Sequence, residues 1–366
     1  MPPPLYTQSI IALIWDFDKT LTHGYMQDPL FAEYGVDARK FWGEVNALKD
    51  YYGDPKCPGG PAQVGKDTIY LNHILTYVRE GIFKDLTNAT LRELGARLDL
   101  APGLPEFFDR TREMVKVDPY LKHDISVEHY VVSTGLRPMI EGSGLAKTVD
   151  GIWACELLPE AAPPGFQEHL GAFGAEVVAQ IGYTIDNTSK TRAIFEINKG
   201  VNRNENVEVN TLVPEGDRRV PMQNMIYIAD GPSDVPSFSL VNSKGGKTLG
   251  VYAPGDANYD SAAQLEEQGR VNIAPPTDGF DGPSNRWQTA SCATANRSSP
   301  RTAARQGTRS RQGGLPCHGD ATTRRTCRPC GTSIEVDPEI RTGGCLVRRP
   351  GGPSGRPVGP GGVRTV

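Results

Sequence analysis

Apolar residues run unbroken from Ile10 to Trp15 and again from Met225 to Ala229. Short continuous runs of this kind predict strands buried on both faces, as in the middle of a parallel sheet. Further strands are expected at 130–132, 149–158, 176–183 and 248–252. Elsewhere the spacing turns helical. Phe41, Trp42, Val45 and Leu48 line 38–51, with Asp37 as N-cap. Ile69, Leu71, Ile74, Leu75 and Val78 do the same for 68–79. Leu91, Leu94 and Leu98 mark 87–98, with Asn88 near its start. A helix over 104–117 carries Phe107, Phe108 and Met114, and Pro105 suits its first turn. Ala193, Ile194 and Ile197 share a face of 187–198, and 262–268 is a short last helix. The apolar stripes are expected to form core.

The segment 25–100 holds no second buried strand and reads as helices separated by breakers, among them the turn-rich GDPKCPGGP at 53–61. Residues 202–221 are polar and weakly patterned, a loop on the surface of the core. After Arg286 the chain changes character: no Lys, Phe, Tyr or Met follows, and Arg, Gly, Pro, Ser, Thr and Ala dominate. Such a stretch buries too little apolar surface to offset chain entropy, so a disordered tail is expected over 281–366. A shifted reading frame in a GC-rich gene would give the same composition. Two other readings of the tail are a zinc site among Cys317, His318, Cys327, Cys330 and Cys345, and an arginine-rich nucleic-acid arm. Cys327 and Cys330 have ligand-pair spacing, but a second such pair is missing.

A chain of 366 residues suggests roughly two domains. Its 39 Lys+Arg against 43 Asp+Glu leave a net charge of −4, which points away from nucleic acid and anionic membranes as partners. No apolar run reaches the ~18 residues of a membrane span. The opening MPPPLYTQ has no basic region followed by an apolar stretch, so a cytoplasmic protein is expected. Five of the seven cysteines lie in the tail, and the body, with Cys57 and Cys155, reads as reduced.

The chemistry sits where the strand runs stop. In an open α/β sheet the carboxyl ends of the strands line the ligand crevice. The first run ends in Asp16, Phe17, Asp18, Lys19, Thr20, and in extended geometry Asp16 and Asp18 project to one side. Two such carboxylates repel and stay ionised only beside a compensating cation or donors. Mg2+, with few carboxylates plus waters and phosphate, is the natural compensator. The strand at 130–132 ends in Ser133, Thr134 and Gly135, where a hydroxyl and backbone N–H groups can hold a phosphate oxygen. Thr134 is one position late and faces the other way. Lys190 falls in the first turn of its helix, where it opposes the helix dipole unless an anion is near. The run 225–229 ends in Asp230-Gly-Pro-Ser-Asp234, two more carboxylates about a tight turn. Each feature alone also reads as ordinary: an acidic turn, a Ser-Thr-Gly turn, a surface lysine.

In this order, from residue 10 to about 270, the segments resemble the four motifs of the haloacid dehalogenase-like phosphatase superfamily. Asp16 to Thr20 match motif I in its D-x-D-x-T form, Ser133 the hydroxyl of motif II and Lys190 the lysine of motif III. Asp230 and Asp234 keep the acid spacing of motif IV, G-D-G-x-x-D, with Ala229 in place of the first glycine. The resemblance implies a Rossmann-like three-layer α/β core with a parallel sheet at 9–24 and 101–280, and a small helical cap at 25–100, as in phosphoserine phosphatase-like members. It implies Asp16 as nucleophile, Asp18 as general acid/base, and Mg2+ held by Asp16, the Asp18 carbonyl, Asp230 and Asp234. Thr20, Ser133, Thr134, Gly135 and Lys190 would contact the phosphoryl group. The function expected is Mg-dependent hydrolysis of a small phosphorylated metabolite through an aspartyl-phosphate. A phosphotransferase on the same fold and a non-catalytic phosphate-binding regulator are the alternatives.

Removing 287–366 is expected to leave the thermal midpoint and turnover nearly unchanged, because that segment has no core-forming pattern. Scanning calorimetry of the full and shortened chains checks this; a large loss of stability, or stoichiometric zinc in the full chain, would show a folded tail.

Overall fold

The computed structural model describes residues 8–162, 164–169, 176–252 and 258–272. The expected tail at 281–366, with its zinc and nucleic-acid alternatives, lies outside the described residues. In chain order the elements are β1 (Ile10–Trp15), α1 (Asp28–Tyr34), α2 (Ala38–Gly53), α3 (Lys66–Arg79), α4 (Asn88–Gly95), α5 (Glu106–Glu113), β2 (Ser126–Leu136), α6 (Arg137–Gly142), β3 (Gly151–Leu158), β4 (Gln180–Tyr183), α7 (Ser189–Lys199), β5 (Met225–Ala229), α8 (Val235–Ser243), β6 (Lys247–Gly250) and α9 (Asn258–Glu267), with short 3-10 turns between them. The class is α/β, as expected.

The strands form one sheet in the order β4-β3-β2-β1-β5-β6. All neighbours are parallel except β3 and β4. The expected parallel sheet is present, and the short edge strand β4 returns antiparallel along the end of β3. β1 lies at the centre, with Trp15 beside Val131 of β2 and Ile228 of β5. Burial on both faces explains its unbroken apolar run. Ile11, Leu13 and Trp15 face one hydrophobic cluster, and Ala12 and Ile14 face the other. The second cluster contains Ala193, Ile194 and Ile197 of α7 and Phe238 and Val241 of α8. The first contains Phe107 and Phe108 of α5 and the buried aromatics Phe31, Phe41 and Phe83 of the 25–100 segment. That segment therefore shares its apolar interior with one layer of the core.

Trp15 is fixed from the side. Its indole Nε1 donates to His129 Nδ1 at 3.1 Å, and His129 Nε2 pairs with Thr111 Oγ1 at 2.8 Å. Burial, then the nearby Arg112, holds His129 well below its ordinary pKa, so it stays neutral inside the protein. The residue before Asp16 is thus locked by packing and by a hydrogen-bond chain.

Several boundaries differ from expectation. α4 ends at Gly95 rather than 98, and its cap is Thr87, whose Oγ1 accepts from Thr90 N at 3.0 Å. Asn88 reaches across to donate to the Leu157 carbonyl of β3 at 2.8 Å. The helix at 104–117 contracts to Glu106–Glu113, with Pro105 as its N-cap. α1, α6 and α8 are helices that the spacing does not announce. Among the described residues no helix is long and apolar enough to cross a membrane.

α4 and α6 approach closely through two glycines. A methyl group at Gly95 would overlap the Met139 carbonyl, and one at Gly142 would overlap the Arg92 carbonyl. Gly142→Ala gains roughly 1 kcal/mol of helix propensity but collides with backbone that cannot step aside, and overpacking typically costs about 1–3 kcal/mol or more. Denaturant titration is expected to show a net loss of up to about 2 kcal/mol; a raised midpoint would mean the two helices are free to separate.

Candidate active site

Asp16 ends β1. Its backbone N–H donates to the Ile228 carbonyl at 2.8 Å, so the extended geometry carries one residue past the strand. Since Ile14 faces the α7 layer, Asp16 continues toward it, and Asp16 Oδ1 accepts from Lys190 Nζ at 2.9 Å. Lys190 is 1% exposed and also donates to Asp234 Oδ1 at 2.7 Å. The dipole penalty of a lysine in the first turn is thus answered by two aspartates. Asp186 helps: its Oδ1 accepts from the N–H groups of Thr188 and Ser189 at the start of α7.

The turn after Asp16 wraps around the Phe17 carbonyl, which accepts from the N–H groups of Thr20, Leu21 and Thr22. Lys19 takes a left-handed conformation with φ 56°, uncommon for a side-chain-bearing residue and typical of functional turns. Asp18 is half-buried, and its Oδ1 accepts from Met26 N at 2.9 Å. Thr20 is fully buried, and its hydroxyl has no hydrogen-bond partner among the described residues.

The second acidic turn follows β5. Asp234 occupies the N-cap of α8, yet its side chain accepts no helix N–H. Its Oδ1 takes Lys190 Nζ and Tyr227 OH, the latter at 2.6 Å, and its Oδ2 takes Ser233 Oγ at 2.7 Å. One carboxylate oxygen from each of Asp16, Asp230 and Asp234 lies within 4.8 Å of the others. The Asp18 carboxylate is not part of that set.

Acids predominate in this pocket: Asp16, Asp18, Asp230 and Asp234 gather about the buried Lys190, and Lys19 also acts on Asp230. Burial pushes the Asp16 carboxyl up to about 6, against Lys190, which pulls it down. Burial and the Asp16 charge push Asp18 up to about 8. Asp230 rises to about 7 through burial and the same neighbour. Burial opposes a charged Lys190, but Asp16 and Asp234 carry its pKa well above the ordinary value. Hard oxygen donors and excess negative charge fit a small divalent cation. Asp16, Asp230 and Asp234 are the groups that could hold it.

The strand expected at 130–132 runs on to Leu136, so Ser133 is buried within β2, and its hydroxyl accepts from Gly135 N at 3.0 Å. None of its hydrogen bonds among the described residues reaches the carboxylate cluster. Thr134 contributes its carbonyl, which accepts from Tyr70 OH at 2.6 Å and from Cys155 Sγ at 3.2 Å. The structure thus joins Asp16, Lys190, Asp230 and Asp234 closely, keeps Asp18 and Thr20 on the same turn, and sets Ser133, Thr134 and Gly135 on the adjoining strand end. Sequence reasoning missed Tyr70, Tyr227 and Asp67. The two tyrosines lie inside apolar stripes and read as core. Asp67, one turn before Tyr70 on α3, has its carboxyl raised by burial and by Asp186, with Lys190 opposing.

No family model matches the chain. The chain is 41% identical to an uncharacterized protein of Borreliella burgdorferi over 268 residues, covering 72% of this chain and 90% of that protein. Among solved structures it is similar to a HAD family hydrolase from Salmonella enterica subsp. enterica serovar Typhi, at 12% identity and a TM-score of 0.44, over 75% of this chain and 68% of the other. It is also similar to a phospho-aspartyl intermediate analogue of phosphoserine phosphatase, at 13% identity and a TM-score of 0.42, over 77% and 98%.

Without metal, the raised carboxyl pKa values make stability depend on pH. An aspartate with a folded pKa above its unfolded value of about 3.9 binds more protons when folded, so stability falls as pH rises. The window runs from about 4 up through about 8, the highest of the three values. The thermal midpoint of chelator-treated protein is expected to fall between pH 5 and pH 8, less steeply in Asp18→Asn. Mg2+ is expected to raise it more at pH 8 than at pH 5. Parallel pH curves for wild type and variant would show that Asp18 does not titrate in the folded protein.

Proposed function

We propose that the chain, which belongs to one family with the Borreliella burgdorferi protein, is a haloacid dehalogenase-like, Mg-dependent phosphatase acting on a small phosphorylated metabolite through an aspartyl-phosphate. One observation carries the reading: Lys190 Nζ hydrogen-bonds Asp16 after β1 and Asp234 after β5, and a carboxylate oxygen of Asp230 lies within 4.8 Å of both acids. Asp16, beside that ammonium, is placed to attack, whereas burial and the Asp16 charge raise the Asp18 carboxyl, which suits it to carry a proton.

In the first step an Asp16 carboxylate oxygen forms a bond to phosphorus while the bond to the leaving oxygen breaks. Asp18 gives its proton to that oxygen. In the second step Asp18 takes a proton from water as the water oxygen attacks phosphorus, and the Asp16 carboxylate leaves. Lys190 uses two of its three ammonium donors on Asp16 and Asp234, and the third is suited to a phosphoryl oxygen. A cation held by Asp16, Asp230, Asp234 and the Asp18 carbonyl would offset charge on the phosphoryl oxygens. Ser133 and the Thr134-Gly135 stretch that follows it in β2 would bind the same group. The helical segment between β1 and α5, tied to β2 through Tyr70, favours a small substrate over a macromolecular one.

The test separates the two acids. With an aryl phosphate and Mg2+, Asp16→Asn is expected to show neither turnover nor phosphoenzyme. Asp18→Asn is expected to lose turnover by ~100 to ~10,000-fold, the usual worth of proton transfer, while still accumulating phosphate on Asp16 from an activated substrate. Mass spectrometry of the peptide around residue 16 reads the adduct, and chelator should abolish turnover. Phosphate on Asp18, or turnover by Asp16→Asn, would sink the assignment.

A further inference from the structure

Tyr227 lies in the middle of β5, fully buried, beside Ile14 of β1. Met225 and Ala229 share its face of the strand and are apolar. Its ring packs edge-on against Phe238 of α8, with centroids 5.6 Å apart and planes at 89°. A phenylalanine would make that contact equally well. The hydroxyl therefore needs another reason, and its one partner named above is Asp234 Oδ1 at 2.6 Å.

Asp234 sits where an aspartate normally caps a helix, and it caps nothing. It is 0% exposed, and each of its oxygens is held by side-chain donors. A carboxylate bound only by Lys190 could rotate about its last side-chain bond, and the flexible lysine stem would follow. Tyr227 on one oxygen and Ser233 on the other fix the carboxylate plane. Lys190 Nζ then has one place to stand, 2.7 Å from Asp234 and 2.9 Å from Asp16. A phenol rooted in the central sheet is a rigid donor, with far fewer rotamers than the lysine it serves.

We propose that Tyr227 is a positioning residue: by donating to Asp234 it holds that carboxylate in the orientation that aims the Lys190 ammonium at Asp16. The inference rests on the phosphatase reading only in giving Lys190 its work at the phosphoryl group; the placement itself stands on the hydrogen bonds.

Tyr227→Phe keeps the ring against Phe238 and removes the donor. With p-nitrophenyl phosphate and Mg2+ as probes, kcat is expected to fall about tenfold with KM within about twofold, since orientation is lost rather than binding. In an Asp234→Asn background the same substitution should have no further effect, because Tyr227 acts through that carboxylate. An unchanged kcat, or an equal loss in both backgrounds, would overturn the proposal; a merely structural hydroxyl would lower the thermal midpoint and leave kcat alone. A second readout needs no turnover. The 15N resonance of the Lys190 ammonium, assigned by its loss in Lys190→Met, is expected to shift and to exchange faster with solvent in Tyr227→Phe. An identical resonance in both proteins would overturn the proposal as well. If the wild type hydrolyses no phosphate ester while this resonance still moves, the phosphatase reading fails and the positioning role stands.

Discussion

The rest of the site depends on one buried ammonium. Lys190 lies 174 residues from Asp16 and 44 from Asp234 along the chain, and it hydrogen-bonds both. A lysine that is 1% exposed has given up its hydration, which is tolerable only beside opposite charge with good geometry. The three residues therefore require one another. The requirement extends to the elements that carry them: the end of β1, the first turn of α7 and the turn between β5 and α8. Removing either carboxylate would leave a buried charge under-compensated, so the ion pairs specify this arrangement more than they stabilise the fold.

The sheet makes that convergence possible at modest cost. β1 is central, parallel to both neighbours, and alternates its side chains between two helical layers. Alternation sends Asp16 toward α7, while Phe17 turns into the opposite cluster and closes the loop around its own carbonyl. Asp18 then meets the Met26 N–H, on the segment that leads into α1. Met26 Sδ in turn accepts from Leu136 N at 2.9 Å, three residues past Ser133. The helical segment is thus knitted to the core on both sides of the acids, by Met26 at one strand end and by Tyr70 at the next.

Much of this was readable before any coordinates, and the reasons are physical. β1 and β5 announce themselves because central parallel strands must be apolar on both faces. Lys190 stands out because a cation in a first helical turn asks for an anion. The acid pairs stand out because carboxylates clustered at strand ends need compensation. What escaped is what depends on distant contacts. The direction of β4 is set by how it meets β3, not by its four residues. α8, VPSFSLVNS, carries no clear amphipathic stripe, and α6 is only six residues long. α4 stops early where Gly95 presses on α6, a contact invisible in either helix alone. The placement of Ser133 against its own strand was equally out of reach, since a hydroxyl's partner is decided by local rotamer and backbone.

Tyr227 shows why a polar function can hide inside a hydrophobic signal. In M-I-Y-I-A a tyrosine reads as strand core, because aromatic residues are favoured on buried pleated surfaces. Its ring obeys that reading and its oxygen does not: the phenol reaches past the apolar layer to the Asp234 carboxylate at the strand's end. A tyrosine is long enough to sit in the core and touch the site, and Trp15 likewise keeps its ring in the core while its indole N–H reaches a distant partner, His129. Strand-end chemistry in such a sheet is therefore supported from below by core residues with a single polar atom. Their aromatic bodies are counted by any hydrophobic pattern, and their donors are found only when the partner carboxylate or imidazole is placed.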